Sequence, residues 1–307
     1  MFAIETQNLC KQFKHQKALD GLNLQIPEGS VFGLLGPNGA GKTTFLRIVM
    51  GFAKASEGDV LVNGKSIMLG KSDYKKSLGF LCDVPAFYGW MKAIDYLKFV
   101  AELSNVNKNF ITERVSNLLK TAGLNDVNTP ISGFSRGMKQ RLGIAQALIH
   151  NPKIVLLDEP TSALDPIGRK EVLEMISGFA NDITVVFSTH ILTDIERVCN
   201  HVAILNHGKL MIQESMSSLK TKYAEAIIQI HIIGDEKGFL EKLTKQPWFL
   251  NSEKKEETLR LSVSNLSEAC YKIPQMISEL NSGIVRMEQA EINLEDIFVN
   301  LINNENV

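Results

Sequence analysis

Cysteine is scarce and scattered. Cys10, Cys82, Cys199 and Cys270 are the four in 307 residues, with no C-x-x-C pair and no histidine at metal-ligand spacing. That pattern excludes a disulfide framework or a zinc site as the organising feature and fits a reducing compartment. Long apolar runs are missing too. Runs such as 31–35 and 154–157 are too short to cross a bilayer as a helix, so any service to a membrane is expected from outside it. Charge of one sign is also lacking: 33 Lys and Arg face 34 Asp and Glu, a formal net charge of −1. No basic excess points to nucleic acid as a partner. The opening residues, 1–10, hold neither a basic stretch nor a long apolar one and do not read as a secretory signal. With 44% hydrophobic and 22% charged residues, the chain suits a globular protein of one large domain and a smaller one.

Apolar periodicity sets the layout. Residues 26–30 read as a turn, and 31–35 as a strand buried on both faces. A glycine-rich loop follows, then a helical pattern from Thr44 to Phe52 with a stop near Gly51. From 88 to 150 the pattern is helical, with Phe99, Leu103, Leu118 and Leu119 recurring. Two more buried strands are expected at 153–157 and 184–187, with a helix over 168–179 between them. Alternating strands and helices predict an α/β fold with a parallel sheet covered on both faces, into which 88–150 is a helical insertion. A second domain begins near Tyr223. Ile228, Ile230 and Ile232, and later Leu259, Leu261 and Val263, alternate with polar residues as strands do. Helices are expected at 237–243, 266–280 and 294–302, with Pro274 kinking or splitting the middle one, and a frayed tail at 303–307. The expected division is 1–221 and 222–307, the second a small α+β domain.

Three segments carry chemistry. Gly36-Pro37-Asn38-Gly39-Ala40-Gly41-Lys42-Thr43 matches G-x-x-x-x-G-K-[ST] between a strand and a helix. There the glycines let backbone N–H groups approach phosphate oxygens, and the helix N-terminus faces the same anion. Lys42 would reach the β- and γ-phosphates and the Thr43 hydroxyl would bind Mg²⁺. Asp158 and Glu159 end the second strand, where functional groups of a parallel sheet gather. Asp158 is read as a Mg²⁺ holder and Glu159 as the general base for the attacking water; without the phosphate loop, two acids simply capping a strand would be an equal reading. His190 follows the third strand and would hydrogen-bond the γ-phosphate and the catalytic carboxylate region. His15, His150, His201, His207 and His231 lack such context and read as surface or packing residues.

Taken in order, the phosphate loop 36–43, the segment Ser135-Arg136-Gly137-Met138-Lys139-Gln140-Arg141, the run 157–166 (LDEPTSALDP) and Ser188-Thr189-His190 resemble the nucleotide-binding subunit of ABC transporters. The resemblance covers roughly residues 1–215 and is closest to exporters whose permease is a separate chain; residues 293–298 resemble the C-terminal ending of that type. It implies a P-loop NTPase fold of the ABC ATPase kind, ATP and Mg²⁺ as cofactors, and ATP hydrolysis driving transport. Phe13, placed before the first strand, matches the aromatic that stacks on adenine; a core phenylalanine is the other reading. Ser135 and Gly137 match the signature loop that contacts ATP held by the other subunit, and Asp165 the loop that crosses the dimer interface. Thr44 belongs with the loop's nucleotide contacts. The implied partners are a membrane permease and a second ATPase subunit, homo- or heterodimeric and head to tail, at the cytoplasmic face of the membrane. The alternative is a non-transport ABC ATPase, a soluble assembly or regulatory factor.

Two positions depart from the family. A glutamine that contacts Mg²⁺ is matched by Asp83, a carboxylate able to bind the ion but unable to donate a hydrogen bond to water. Arg136 replaces a signature glycine and is expected to stiffen and charge that loop. The aromatic-rich segment 84–91 lies where the family receives the permease; a partner surface and a small local core both remain open.

Overall fold

In a computed structural model the described residues are 1–14, 16–68, 72–179, 182–222, 226–255, 257–289 and 294. The chain divides into two compact units, Met1–Met216 and Ser217–Val307.

The first unit opens with β1 (Phe2–Phe13), β2 (Gln16–Leu22) and β3 (Gln25–Pro27), followed by β4 (Val31–Leu35) and α1 (Lys42–Val49). Next come β5 (Glu57–Val62), β6 (Lys65–Ser66) and β7 (Leu78–Leu81), then helices α2 (Ala93–Leu103), α3 (Lys108–Thr121) and α4 (Arg136–Leu148). The chain returns to alternation with β8 (Ile154–Asp158), α5 (Pro166–Ser177), β9 (Thr184–Thr189), α6 (Leu192–Val198), β10 (His201–Asn206) and β11 (Lys209–Ser215). Helix α7 (Met216–Lys222) begins at the division, ahead of the boundary expected from sequence.

Among the described residues, six strands form one sheet in the order β11-β10-β4-β9-β8-β7, parallel from β10 to β7. Every residue of β4, β8 and β9 is buried, which is why these strands are continuous apolar runs rather than alternating ones. Phe32, Leu34, Leu156 and Val186 share a core with Phe45 and Val49 of α1. Register decides function here. Leu35 pairs with Thr189 and Asp158 with Ser188, so the three strands end together. The loop after β4, the acids after β8 and His190 after β9 therefore meet at one carboxyl edge. A second, antiparallel sheet runs β2-β1-β5-β6, with β3 also on β1. Phe13 is the last residue of β1, paired with Gln16, rather than a residue ahead of the first strand.

Helix α2 buries one face and leaves large apolar residues on the other. Ala93, Leu97 and Ala101, spaced four apart, face inward, while Phe99 and Leu103 are 36% and 66% exposed. With Tyr96 and Leu97 already packed inside, Phe99 and Leu103 outside leave an apolar surface to be explained.

The second unit runs β12 (Ala226–Ile233), α8 (Glu236–Leu243), β13 (Phe249–Lys255), β14 (Thr258–Val263), α9 (Leu266–Glu279) and β15 (Gly283–Gln289). Its antiparallel sheet has the order β13-β14-β12-β15, a split βαβ arrangement. Ile228, Ile230, Leu259 and Leu261 pack with Phe239 and Ile273 of the two helices. Pro274 lies inside α9 without splitting it. It sits on the exposed side, where water can satisfy the Cys270 carbonyl that lacks its helical donor. The helix expected at 294–302 and the tail at 303–307 lie outside the described residues, apart from Leu294.

Candidate functional site

The phosphate loop is shaped by backbone that side chains would obstruct. Gly41 has φ 105°, and a Cβ there would lie 2.6 Å from the Ala18 carbonyl oxygen. A Cβ on Gly36 would lie 2.4 Å from the Leu205 carbonyl oxygen. Both positions require glycine, by conformation or by close approach. Helix α1 begins at Lys42, immediately after the loop, so its unpaired first-turn N–H groups face the same space.

Lys42 is buried. Its Nζ donates to the carbonyl oxygens of Gly36 (2.6 Å) and Pro37 (3.2 Å) and stands 3.4 Å from Glu159 Oε1. The other Glu159 oxygen lies 2.9 Å from His190 Nδ1. Thr43 Oγ1 donates to Asp158 Oδ1 at 3.0 Å, and the same oxygen accepts from Ser188 Oγ at 2.7 Å. Ser188, fully buried, also accepts the Glu159 backbone N–H at 3.1 Å. One hydroxyl thus joins the two neighbouring acids, a link invisible when Ser188-Thr189-His190 is read only for its histidine. Glu159 itself has φ 48°, a left-handed conformation that costs a non-glycine residue about 1–3 kcal/mol and turns its side chain back toward Lys42.

A cavity of about 330 Å³ is lined by Phe13, Asn38, Gly39, Ala40, Gly41, Lys42, Thr43, Thr44, Asp83 and Glu159, with Gln16 and Ala18. A second, of about 790 Å³, shares Thr43, Asp83 and Glu159 with it and extends past Asp158 to Arg47, Phe52, Phe80 and Val84. Phe13 is not a core residue: it is 49% exposed at the cavity rim, with Lys11 Nζ 4.8 Å from its ring centroid. Ser135 and Gly137 stand elsewhere and are not among the described residues lining these cavities. Ser135 caps α4, its hydroxyl accepting the Met138 N–H at 3.2 Å. A Cβ on Gly137 would lie 3.4 Å from Gly168 Cα of α5. Arg136 is exposed and is the first residue of α4, where helical φ suits any L-residue; its charge, at the positive end of the helix, is the larger consequence of that substitution. Asp165 begins α5 as its N-terminal cap residue.

Asp83 follows β7. Its backbone carbonyl accepts from Gln140 Nε2 of α4 at 2.9 Å, while its buried Oδ1 has no hydrogen-bond partner among the described residues. A buried carboxylate oxygen left without a donor asks for a cation or water. Together with the Thr43 hydroxyl and Asp158, it makes an all-oxygen donor set around shared space, which fits a small hard divalent ion such as Mg²⁺.

The segment 84–91 has two faces. Phe87 packs edge-on against Tyr96 (5.3 Å between ring centroids) and Tyr88 against Phe99 (5.9 Å). Trp90 and Val84, 77% and 73% exposed, point outward. Of the other histidines, His150 packs, its Nε2 on the Leu78 carbonyl at 3.0 Å, and His15 lies outside the described residues. Among the described residues no helix is long and apolar enough to cross a membrane.

Residues 19–162 match the family model described as ABC transporter. The chain is 34% identical to an uncharacterized ABC transporter ATP-binding protein of Bacillus subtilis, YxlF, over 97% of this chain and 99% of that protein. It is 33% identical to the bacitracin transport ATP-binding protein BcrA of Bacillus licheniformis, over 97% of each. Among solved structures it is similar to a dimeric ATP-binding cassette in a post-hydrolysis state bound to ADP and phosphate, with 26% identity and a TM-score of 0.63 over 69% of this chain and 98% of that one. A chain of the cbiONQ ABC transporter complex of Clostridium perfringens gives 27% identity and a TM-score of 0.65 over 72% and 91%. The phosphate loop, the acids after β8 and His190 thus stand in a chain that belongs to the ABC transporter family, as an ATP-binding subunit that hydrolyses ATP.

Proposed function

We propose that this chain is the motor of an exporter of peptide antibiotics, a peripheral subunit that docks on a separate permease and works as a head-to-tail pair of ATPase subunits. The observation that carries the reading is the match over 97% of both chains to a bacitracin transport subunit, which spans both units rather than the ATPase core alone. A lantibiotic transport ATP-binding protein of Streptococcus pyogenes, 36% identical over 69% of this chain and 90% of its own length, supports the same class of cargo.

In this reading the loop 36–43 wraps the phosphates of ATP, and Phe13 at the cavity rim offers its exposed face to the adenine. Lys42 exchanges the carbonyl oxygens of Gly36 and Pro37 for the β- and γ-phosphates. Thr43, Asp158 and Asp83 would hold Mg²⁺, which supplies neutralising charge to the phosphate oxygens. Glu159 accepts a proton from the attacking water, and His190, hydrogen-bonded to its carboxylate, keeps it aimed at the γ-phosphate. Ser135 and Gly137 complete the site of a second subunit, which accounts for their distance from this chain's own cavity. The exposed aromatic surface around Trp90 faces the permease.

Glu159→Gln tests the chemistry and the partner together. It keeps ATP bound, lowers turnover by about 10²–10⁴-fold, and leaves a closed pair that persists with ATP. Extracted from native membranes in that state, the tagged chain is expected to carry a multi-span membrane protein with it. Recovery of soluble partners alone, with the chain absent from membranes, would overturn the transport reading in favour of a soluble regulatory ATPase.

A further inference from the structure

The loop that carries Glu159 into α5 is anchored by a carboxylate on another element. Asp194 of α6 is fully buried. Its Oδ2 accepts from the Thr161 hydroxyl at 2.6 Å and its Oδ1 from Arg169 Nε at 2.6 Å. Arg169 Nη2 donates to Thr193 Oγ1 at 2.6 Å, and the Arg169 backbone N–H to the Asp165 carbonyl at 2.9 Å. Thr161 is 1% exposed. A charge so removed from water persists only when paired and hydrogen-bonded, as both oxygens are here.

The three members come from three places around the site. Thr161 lies two residues beyond Glu159, Arg169 in the first turn of α5, and Asp194 four residues beyond His190. Between β8 and α5 the backbone adopts left-handed φ at two non-glycine residues, Glu159 (48°) and Ala163 (52°), with Thr161 between them. Such a backbone holds only where its surroundings over-determine it. Its own turn bonds are modest: Ser162 N–H to the Glu159 carbonyl at 3.1 Å and Leu164 N–H to the Thr161 carbonyl at 3.4 Å. The buried Thr161–Asp194 bond is the shorter and charge-assisted tether.

We infer that Asp194 is a positioning residue for ATP hydrolysis. Through Thr161 it fixes the loop that aims Glu159, and because it sits on the helix that follows His190, it sets the separation between Glu159 and His190. Through Arg169 it holds the start of α5, and with it Asp165, to the same point. This rests on the reading of Glu159 as the general base.

Thr161→Val removes the hydroxyl with little change of shape, and Thr161→Ser keeps it. Steady-state hydrolysis by the purified full chain is expected to show kcat lowered about 10- to 100-fold in Thr161→Val, with KM for ATP within about twofold, as for a misaimed base. Thr161→Ser is expected to restore turnover. In a Glu159→Gln background, Thr161→Val should cost nothing further, because both changes act through one group. Full turnover in a folded Thr161→Val chain beside an inactive Glu159→Gln chain would overturn this inference alone. A loss that Thr161→Ser does not relieve, or an equal loss in the Glu159→Gln background, would overturn it as well. Parental turnover in Glu159→Gln would remove the general-base reading and this inference with it.

Discussion

Lys42 Nζ stands 3.4 Å from Glu159 Oε1, at the wall where the two cavities meet. The cation that would grip the γ-phosphate and the carboxylate that would activate water neutralise each other within one small space. On the proposed function, phosphate would compete with Glu159 for Lys42, and arrival of the nucleotide would release the carboxylate for its own task. Burial strengthens the attraction within the pair but carries a desolvation cost, and it makes loss of either partner costly.

Lys42→Ala is expected to weaken ATP binding by about 100-fold, the equivalent of two charge-assisted hydrogen bonds at about 1.5 kcal/mol each. Titration with a fluorescent ATP analogue checks this. Affinity within a few-fold of the parent would mean that the loop backbone alone holds the phosphates.

Asp83→Asn keeps the shape of the side chain and removes its charge. If Asp83 takes part in holding the metal, the Mg²⁺ concentration that supports nucleotide binding should rise about 10-fold. An unchanged metal titration would leave the buried Oδ1 to water and remove Asp83 from the ion's donors.

Trp90→Ala removes the most exposed ring of the helical segment, which touches only Tyr88 among the described aromatic pairs, at 6.4 Å. Basal ATP hydrolysis should be unchanged and recovery with membranes reduced by about tenfold, in line with the loss of one interface anchor of about 1.4 kcal/mol. Equal recovery from membranes would show the ring to be part of a local cluster and no more.

His150 gives a pH dependence with a definite sign. Burial pulls its imidazole below the usual 6.5; the Leu78 carbonyl opposes this and the Arg114 charge adds to it. With a lower pKa folded than unfolded, the unfolded chain binds more protons in the window below 6.5. Stability is therefore intact above that pH and declines as pH falls through it toward the folded value. His150→Gln should flatten that decline in thermal melts of the full chain between pH 5 and 7.5, a range chosen to bracket the histidine titration. A slope identical to the parent's would assign the acid sensitivity elsewhere.

Much of the ATPase unit can be read from local sequence because its strands are short, apolar and buried on both faces, and because glycines and a lysine at fixed spacing leave few other shapes for 36–43. The same locality explains the errors. Local sequence puts Phe13 ahead of the first strand, but β1 continues to it through pairing with β2, and a strand's end is set by its partner rather than by its own residues. Phe99 and Leu103 do lie in a helix, as their spacing predicts, but which face of it is buried is set by packing, which turns Ala93, Leu97 and Ala101 inward. In the second unit, periodicity found strands and helices, but not the order β13-β14-β12-β15, which long-range pairing decides.

What the sequence determined by itself was the chemistry of contiguous segments: a phosphate-binding loop, paired acids at a strand end, a histidine after another strand, and the family in which all three occur in order. Tertiary structure alone decided how those segments meet. It placed Ser188 between Asp158 and Glu159, brought Asp194 to Thr161 and Arg169, and left the Asp83 oxygen unpaired beside Thr43. The reason is physical. A motif records what neighbouring residues can do, whereas a hydrogen bond between residues thirty positions apart exists only after parallel strands have fixed their register and the core has excluded water from between them.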